Sequence, residues 1–196
     1  AFYNFSKPIQ NRKFVFNLGG NVTYNNNVSF LNSEKNKGTN WIAGQRFATD
    51  IKIKKWLETT LGVNYSLNSN KYSLQKELNS DATGWTFSNS TRLFLPGNWK
   101  FNYEIDKTIN SGFASNVNTD PLIINATLEK GLFKKQNASI KLQAFDLLNQ
   151  NTSVNRSVTG SAITDTRTNR LGRYFMLSFV FRLNKFSGQA QQGSMM

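Results

Sequence analysis

The stretch RYFMLSFVFRLNKF (173–186) decides how the chain is read. Successive side chains of a strand point to opposite faces. One face here carries Phe175, Leu177, Phe179, Phe181 and Leu183 and has no polar atom. The other carries Tyr174, Met176, Ser178, Val180 and Arg182. The first face is too greasy for an ordinary half-buried strand, so the question is which solvent wets each side.

Composition narrows the answer. The chain has 196 residues, with 24 Lys+Arg against 11 Asp+Glu and neither His nor Cys. Mean hydropathy is negative. No run approaches the roughly 20 apolar residues of a membrane-spanning helix. Transmembrane β-barrels escape that test, because lipid-facing and lumen-facing residues alternate and average out as polar. The start lacks an initiating Met and a signal-peptide pattern. AFYNF reads as the tail of a strand already in progress, so a fragment or the mature end of a longer chain is expected.

Period-two alternation recurs along the chain, with no convincing helical stripe. Phe14, Phe16, Leu18, Gly20, Val22 and Tyr24 share a face. Trp41, Ala43, Phe47, Thr49, Ile51 and Ile53 form a second set, and Leu57, Leu61, Val63, Tyr65 and Leu67 a third. The fourth holds Trp85, Phe87, Leu93 and Leu95, and the fifth Trp99, Phe101, Tyr103 and Ile105. Leu122, Ile124, Ala126 and Leu128 make the sixth, and Ala138, Ile140, Leu142 and Ala144 the seventh. The opening stretch is the eighth strand, and the N-terminal tail a partial ninth.

Connection lengths alternate. Residues 54–56, 96–98 and 133–137 read as tight turns. Residues 28–40, 69–84, 110–121 and 150–169 read as long polar loops, and segments such as 158–163 are expected to continue the sheet above the membrane. Short turns on one side and long loops on the other are the habit of an up-and-down membrane barrel. Leu18-Gly19-Gly20 reads as a strand kink or a close strand approach.

The tryptophans agree. Trp56 and Trp99 fall at short turns, Trp41 and Trp85 at the opposite strand ends. Indole prefers the water–lipid boundary, so these four, with Phe186, are expected to form interfacial girdles. Trp85 to Leu95 is about the eleven residues a tilted strand needs to cross. The opening question then has an answer. Leu61, Val63, Phe101, Phe175, Leu177, Phe179 and Phe181 are expected to face lipid. Lys52, Glu58, Glu129, Lys141 and Arg182 are expected to face a polar lumen. A lipid-facing Arg182 at the midplane costs roughly 2–4 kcal/mol, which the inward orientation avoids. Across the short turns, Glu129 falls opposite Lys141 and Lys52 approaches Glu58, as a structural ladder of ion pairs.

Little points to chemistry. Without histidine the Ser-His and Asp-His styles of membrane hydrolase lack their base. Metal sites built from His or Cys are excluded, and Asp81, Asp120 and Asp165 stand apart in the sequence. No catalytic residue, cofactor or metal is expected. The net charge of +13 invites a nucleic-acid reading, but the aromatics alternate along every strand instead of forming one stacking platform. Lys54, Lys55, Lys134 and Lys135 lie at short turns, where headgroup phosphates are in reach. Arg156, Arg167, Arg170 and Arg173 gather in or beside the longest loop, as candidate contacts for an anionic solute or lipopolysaccharide.

LQAFDLLNQNTSVNR (142–156) and TNRLGRYFMLSFVFRLNKF (168–186) resemble the closing strands of TonB-dependent-receptor-type outer-membrane barrels, in particular the outer membrane protein beta-barrel group of Bacteroidota-like bacteria. The resemblance covers about 45 residues. It implies the last eight or so strands of a barrel of about 22, filled by an N-terminal plug, in the outer membrane of a Gram-negative bacterium. It implies nutrient uptake, with TonB and a surface lipoprotein as partners besides outer-membrane lipids and lipopolysaccharide. On this reading residues 1–186 are barrel and 187–196 a polar tail. The tail departs from outer-membrane proteins that end on their last aromatic. A non-transporting barrel serving assembly, secretion or adhesion, and a free-standing eight-stranded barrel, are the alternatives.

Overall fold

The computed structural model describes residues 1–117, 119–133, 137–158 and 162–182. Phe186, the 187–196 tail, Lys134 and Lys135 lie outside the described residues. Eleven strands make up the architecture: β1 (Phe2–Ile9), β2 (Phe14–Leu31), β3 (Glu34–Lys54), β4 (Leu57–Tyr72), β5 (Ser80–Leu95), β6 (Trp99–Ser111), β7 (Leu122–Leu132), β8 (Ala138–Phe145), β9 (Thr152–Val158), β10 (Ile163–Asn169) and β11 (Tyr174–Phe181). Nine form one antiparallel meander in the order β1 through β8 and then β11. β9 and β10 form a hairpin of their own, inserted between β8 and β11. No α-helix occurs among the described residues; a single 3₁₀ turn spans Lys76–Leu78. No helix among them is long and apolar enough to cross a membrane.

The short turns are sterically specified. Gly97 and Asn98 both take positive φ, at 73° and 62°, where Gly and Asn are cheapest. Lys55 and Trp56 join β3 to β4 after a register irregularity between Ile51 and Lys54.

Two expectations about the other side are corrected. Residues 28–40 are not a loop. β2 and β3 pair without interruption to Leu31 and Glu34, and Asn32 and Ser33 close the hairpin with both residues left-handed, as a two-residue type I′ turn demands. Trp41 therefore lies inside its strand, seven residues from the start of β3 at Glu34. Nor does the segment around 158–163 continue the main sheet: its flanks belong to the separate β9–β10 hairpin.

The pairing is staggered in one direction. Trp85 stands level with Tyr65 and Gln45, four residues nearer the short turns than Trp41. Leu57 pairs with Leu93, two residues short of the end of β5, and Trp99 pairs with Lys130, two short of the end of β7. Strands tilted by about 40° shift a line of constant height by two to three residues over two strand spacings. Both tryptophan rows descend in that direction, by four residues from Trp41 to Trp85 and by about one from Trp56 to Trp99. β1 and β11 pair only with β2 and β8 among the described residues.

Candidate functional site

Register sorts the side chains onto two faces. Leu61, Val63, Phe101, Phe175, Leu177, Phe179 and Phe181 all fall on one; Phe101, Leu128, Leu142 and Leu177 stand in a single row. Leu61 is 46% exposed and Phe179 63%, so this face is not packed into a protein core. Upper aromatic pairs cover its rim: the rings of Tyr24 and Trp41 lie 4.7 Å apart, those of Tyr65 and Trp85 4.6 Å. At the short-turn rim, Lys130 sits over the Trp99 ring at 4.8 Å. Trp56 is exposed at its turn. Gly20 confirms a close approach rather than a kink, since a Cβ there would meet the Gly44 carbonyl oxygen at 2.8 Å while β2 stays paired throughout.

The opposite face carries the charges in a repeated arrangement. Glu58 on β4 lies between Lys52 at 3.6 Å and Arg92 at 3.4 Å. Glu129 on β7 lies between Lys100 at 3.8 Å and Lys141 at 3.5 Å. In each trio the carboxylate sits on the middle strand and the cations flank it, leaving a surplus of one positive charge. The sequence pointed to one pair at each place; Arg92 and Lys100 are the members it missed. Arg182 lines a cavity of about 360 Å³ with Lys100, Glu129 and Trp99 at the short-turn end. Cross-strand ion pairs contribute about 0.2–1 kcal/mol each. Glu129→Gln is expected to lower stability by about 1 kcal/mol, and Glu58→Gln by less, because Glu129 is the more enclosed of the two. Chemical denaturation of the two variants in detergent checks the order.

Toward the long connections this face becomes neutral and amide-rich. Asn40 donates to Asn68 and Asn70 at 2.7 Å each and accepts from Asn25 at 3.3 Å. Asn36 donates to Gln75 and accepts from Ser73 and the Leu74 amide. Asn36, Asn40 and Asn70 are buried, and each is satisfied: Asn40 and Asn70 with each other and with Asn68, Asn36 with the connection after β4.

The FDLLNQN segment turns out to be a built junction. Asp146 and Asn149 adopt positive φ, which Asn and Asp tolerate best after Gly. The buried Asp146 carboxylate accepts from the Gln150 and Asn151 amides at 2.9 and 3.0 Å. Gln150 accepts from the Leu122 amide on β7, and Asn149 from the Arg173 amide that leads into β11. The junction thus ties β8 to both neighbours at the base of the inserted hairpin. Asp146→Asn keeps a single acceptor oxygen and is expected to cost about 1 kcal/mol, seen as faster hydrogen exchange at 150–151.

Above the junction, Arg156 of β9 and Asp165 of β10 form a bidentate pair at 2.7 and 2.8 Å. Their side chains are only 5% and 7% exposed. Arg156 also donates to Ser80 Oγ at 3.2 Å and to the Gly112 carbonyl at 2.7 Å, and lies over the Phe113 ring at 5.2 Å. Asp165 accepts from the Ala114 amide at 2.8 Å. Gly112 has φ of +76°, and a Cβ there would strike the Asp81 carbonyl oxygen. The inserted hairpin is therefore clasped to the start of β5 and to the β6–β7 connection. Asp165 has no acidic neighbour among the described residues to share a cation with, and its partner across the hairpin is a cation. One sequence expectation falls here: Arg156, with four of its five N–H donors committed and its side chain enclosed, is not presented to an external anion. Arg167 and Arg170 are exposed and do not join it, while Arg173 donates to the Leu147 carbonyl. The Arg156 guanidinium and the Ala114 amide, opposed by burial, hold the Asp165 carboxyl below the usual carboxylate range.

No cluster of metal-ligating side chains occurs among the described residues. The geometry is a wall: mainly apolar on one side, where the polar Asn89, Thr59 and Thr91 hydrogen-bond one another and Lys107 donates to the Asp120 carbonyl, ion-paired and amide-lined on the other, with structured connections at one end. Comparison with curated proteins and with solved structures finds no match. The profile of the outer membrane protein beta-barrel family matches residues 2–181, from the first residue of β1 to the last of β11. The two-faced, staggered meander and that match together make this chain a member of the outer membrane protein beta-barrel family, with its place in the outer membrane.

Proposed function

We propose that the chain forms wall of a TonB-dependent receptor that imports a nutrient across the outer membrane. The observation that carries the reading is the clasped outer hairpin above a charged, polar wall. Loops held at defined positions over a lumen suit ligand capture, and a wall of shared ion pairs gives a rigid aqueous lining. The likeness of 142–156 and 168–186 to the closing strands of such receptors supports it. On this reading the apolar face is wetted by lipid and the polar face by the lumen and a plug.

Uptake by cells expressing the full-length protein tests the proposal. Accumulation of a limiting nutrient should fall when the gene is deleted, and fall equally when the proton-motive force is collapsed or TonB removed. Uptake that ignores energy supply would assign a passive pore. A deletion with unchanged uptake and lost surface assembly or adhesion would assign a platform.

A further inference from the structure

The β2–β3 hairpin and the end of β4 rise beyond the Tyr24–Trp41 pair, and their two faces differ sharply in charge. On the side continuous with the apolar face, Lys71 stands opposite Thr39, Lys37 opposite Val28, and Lys35 opposite Phe30. On the other side at the same levels stand Asn25, Asn27, Ser29, Asn36, Gly38, Asn40, Asn70 and Tyr72, all neutral. The three lysines are exposed, and no salt bridge of theirs occurs among the described residues. The acids nearby are Glu34, which alternation puts on the neutral side at the tip, Glu77 in the turn that follows β4, and Asp81, held by Ser69 Oγ at 2.5 Å one row below.

Height gives the row a meaning. Lys71, Lys37 and Lys35 lie two, four and six residues along the sheet from Trp41. At about 3.3 Å per residue and a tilt of about 40°, with about 3 Å more for Lys71 because β4 lies one strand along the slope, they stand roughly 8, 10 and 15 Å above the aromatic rim. The headgroup layer extends about 5–8 Å beyond the hydrocarbon. Lysine stems bend toward such a boundary while keeping the ammonium in polar surroundings. Lys71 and Lys37 therefore reach the phosphate level, and Lys35 the layer above it. Val28 and Phe30, the latter 73% exposed, interleave with them and offer apolar contact between the cations.

We propose that Lys35, Lys37 and Lys71 form a docking strip for the phosphorylated headgroup of an outer-leaflet lipid, held against the outside of the barrel. The proposal rests on the apolar face being the lipid-facing one, and is independent of what the lumen transports. Charge complementarity and continuity with the lipid-facing surface select an anionic lipid over a protein partner. The strip also moves the lipopolysaccharide contact away from Arg156, which the clasp consumes.

The test uses the full-length protein in a zwitterionic detergent, titrated with bis-phosphorylated lipid A and with the same lipid dephosphorylated, read by native mass spectrometry. The wild type should prefer the phosphorylated form. The triple variant Lys35→Gln, Lys37→Gln, Lys71→Gln should bind it at least tenfold more weakly and bind the dephosphorylated lipid unchanged. The triple Lys→Arg variant should retain affinity, and Arg46→Gln, on the polar face, should leave it intact. Heat-modifiable gel mobility identifies any variant that has not folded, and Lys37→Gln alone, with a smaller loss of the same sign, then carries the test. Equal affinity of folded wild type and folded triple variant, or equal binding of the two lipids by the wild type, overturns the proposal. Uptake is unaffected by that outcome, so the transport reading stands or falls separately.

Discussion

Asp165→Ala is expected to release the β9–β10 hairpin from its seat. The substitution leaves the Arg156 guanidinium enclosed without its counter-charge, and breaking a buried pair from one side costs about 3–5 kcal/mol. The cost falls on the docking of the hairpin and not on the nine-stranded sheet, because the hydrogen bonds that seat this pair run to Ser80, Gly112 and Ala114. Limited proteolysis should therefore cut the variant between β9 and β10 under conditions that spare the wild type, with heat-modifiable mobility unchanged. Acid should reproduce the effect. The Asp165 carboxyl titrates below its unfolded value, so its contribution is complete above about pH 4. It is lost as pH falls through the lowered value. A hairpin that stays protected in Asp165→Ala, or one that opens on raising the pH, contradicts this account.

Leu61→Arg is the second large effect. Leu61 lies midway along β4 between Leu57 at the short turn and Tyr65 at the upper aromatic row. That is the depth at which a lipid-facing arginine costs about 2–4 kcal/mol, against about 0–1 kcal/mol near either boundary. Ser90→Arg makes the control. Ser90 is paired with Thr60 and Glu104 on the polar face and borders a cavity of about 470 Å³, so the same side chain there should cost little. Denaturant unfolding in lipid vesicles measures both. Equal costs would mean that the two faces meet the same solvent.

Much of this arrangement is legible in the sequence because lipid imposes a pattern. Within the crossing segments one face must be apolar, so Leu57 to Leu67, Trp85 to Leu95 and the final strand announce themselves by alternation, and the tight turns then set Glu129 against Lys141. Beyond the hydrocarbon the pattern disappears. Asn25, Asn26 and Asn27 have low strand propensity, and nothing in their order separates a loop from a hairpin. The β2–β3 extension escapes a sequence reading for that reason, although its pairing is as regular as any. The clasp is hidden differently. Arg156 and Asp165 are nine residues apart, and only the fold of the hairpin brings them across from each other. The FDLLNQN segment stands out as a likeness, but its hydrogen-bonding work is not visible in residue types alone.

The unbroken ladder along β4 has a bearing on how such a chain can change over generations. From Ser69 back to Thr59 every residue has a partner on both sides, and strand side chains repeat every two positions. Deleting one residue at Gly62 would turn half the strand inside out, sending Asn64 into hydrocarbon and Val63 and Leu67 into water. Insertions and deletions are thus tolerated only in the connections that stand clear of the bilayer. Related chains should differ in length there and keep the crossing segments at constant count, whatever substitutions they accumulate.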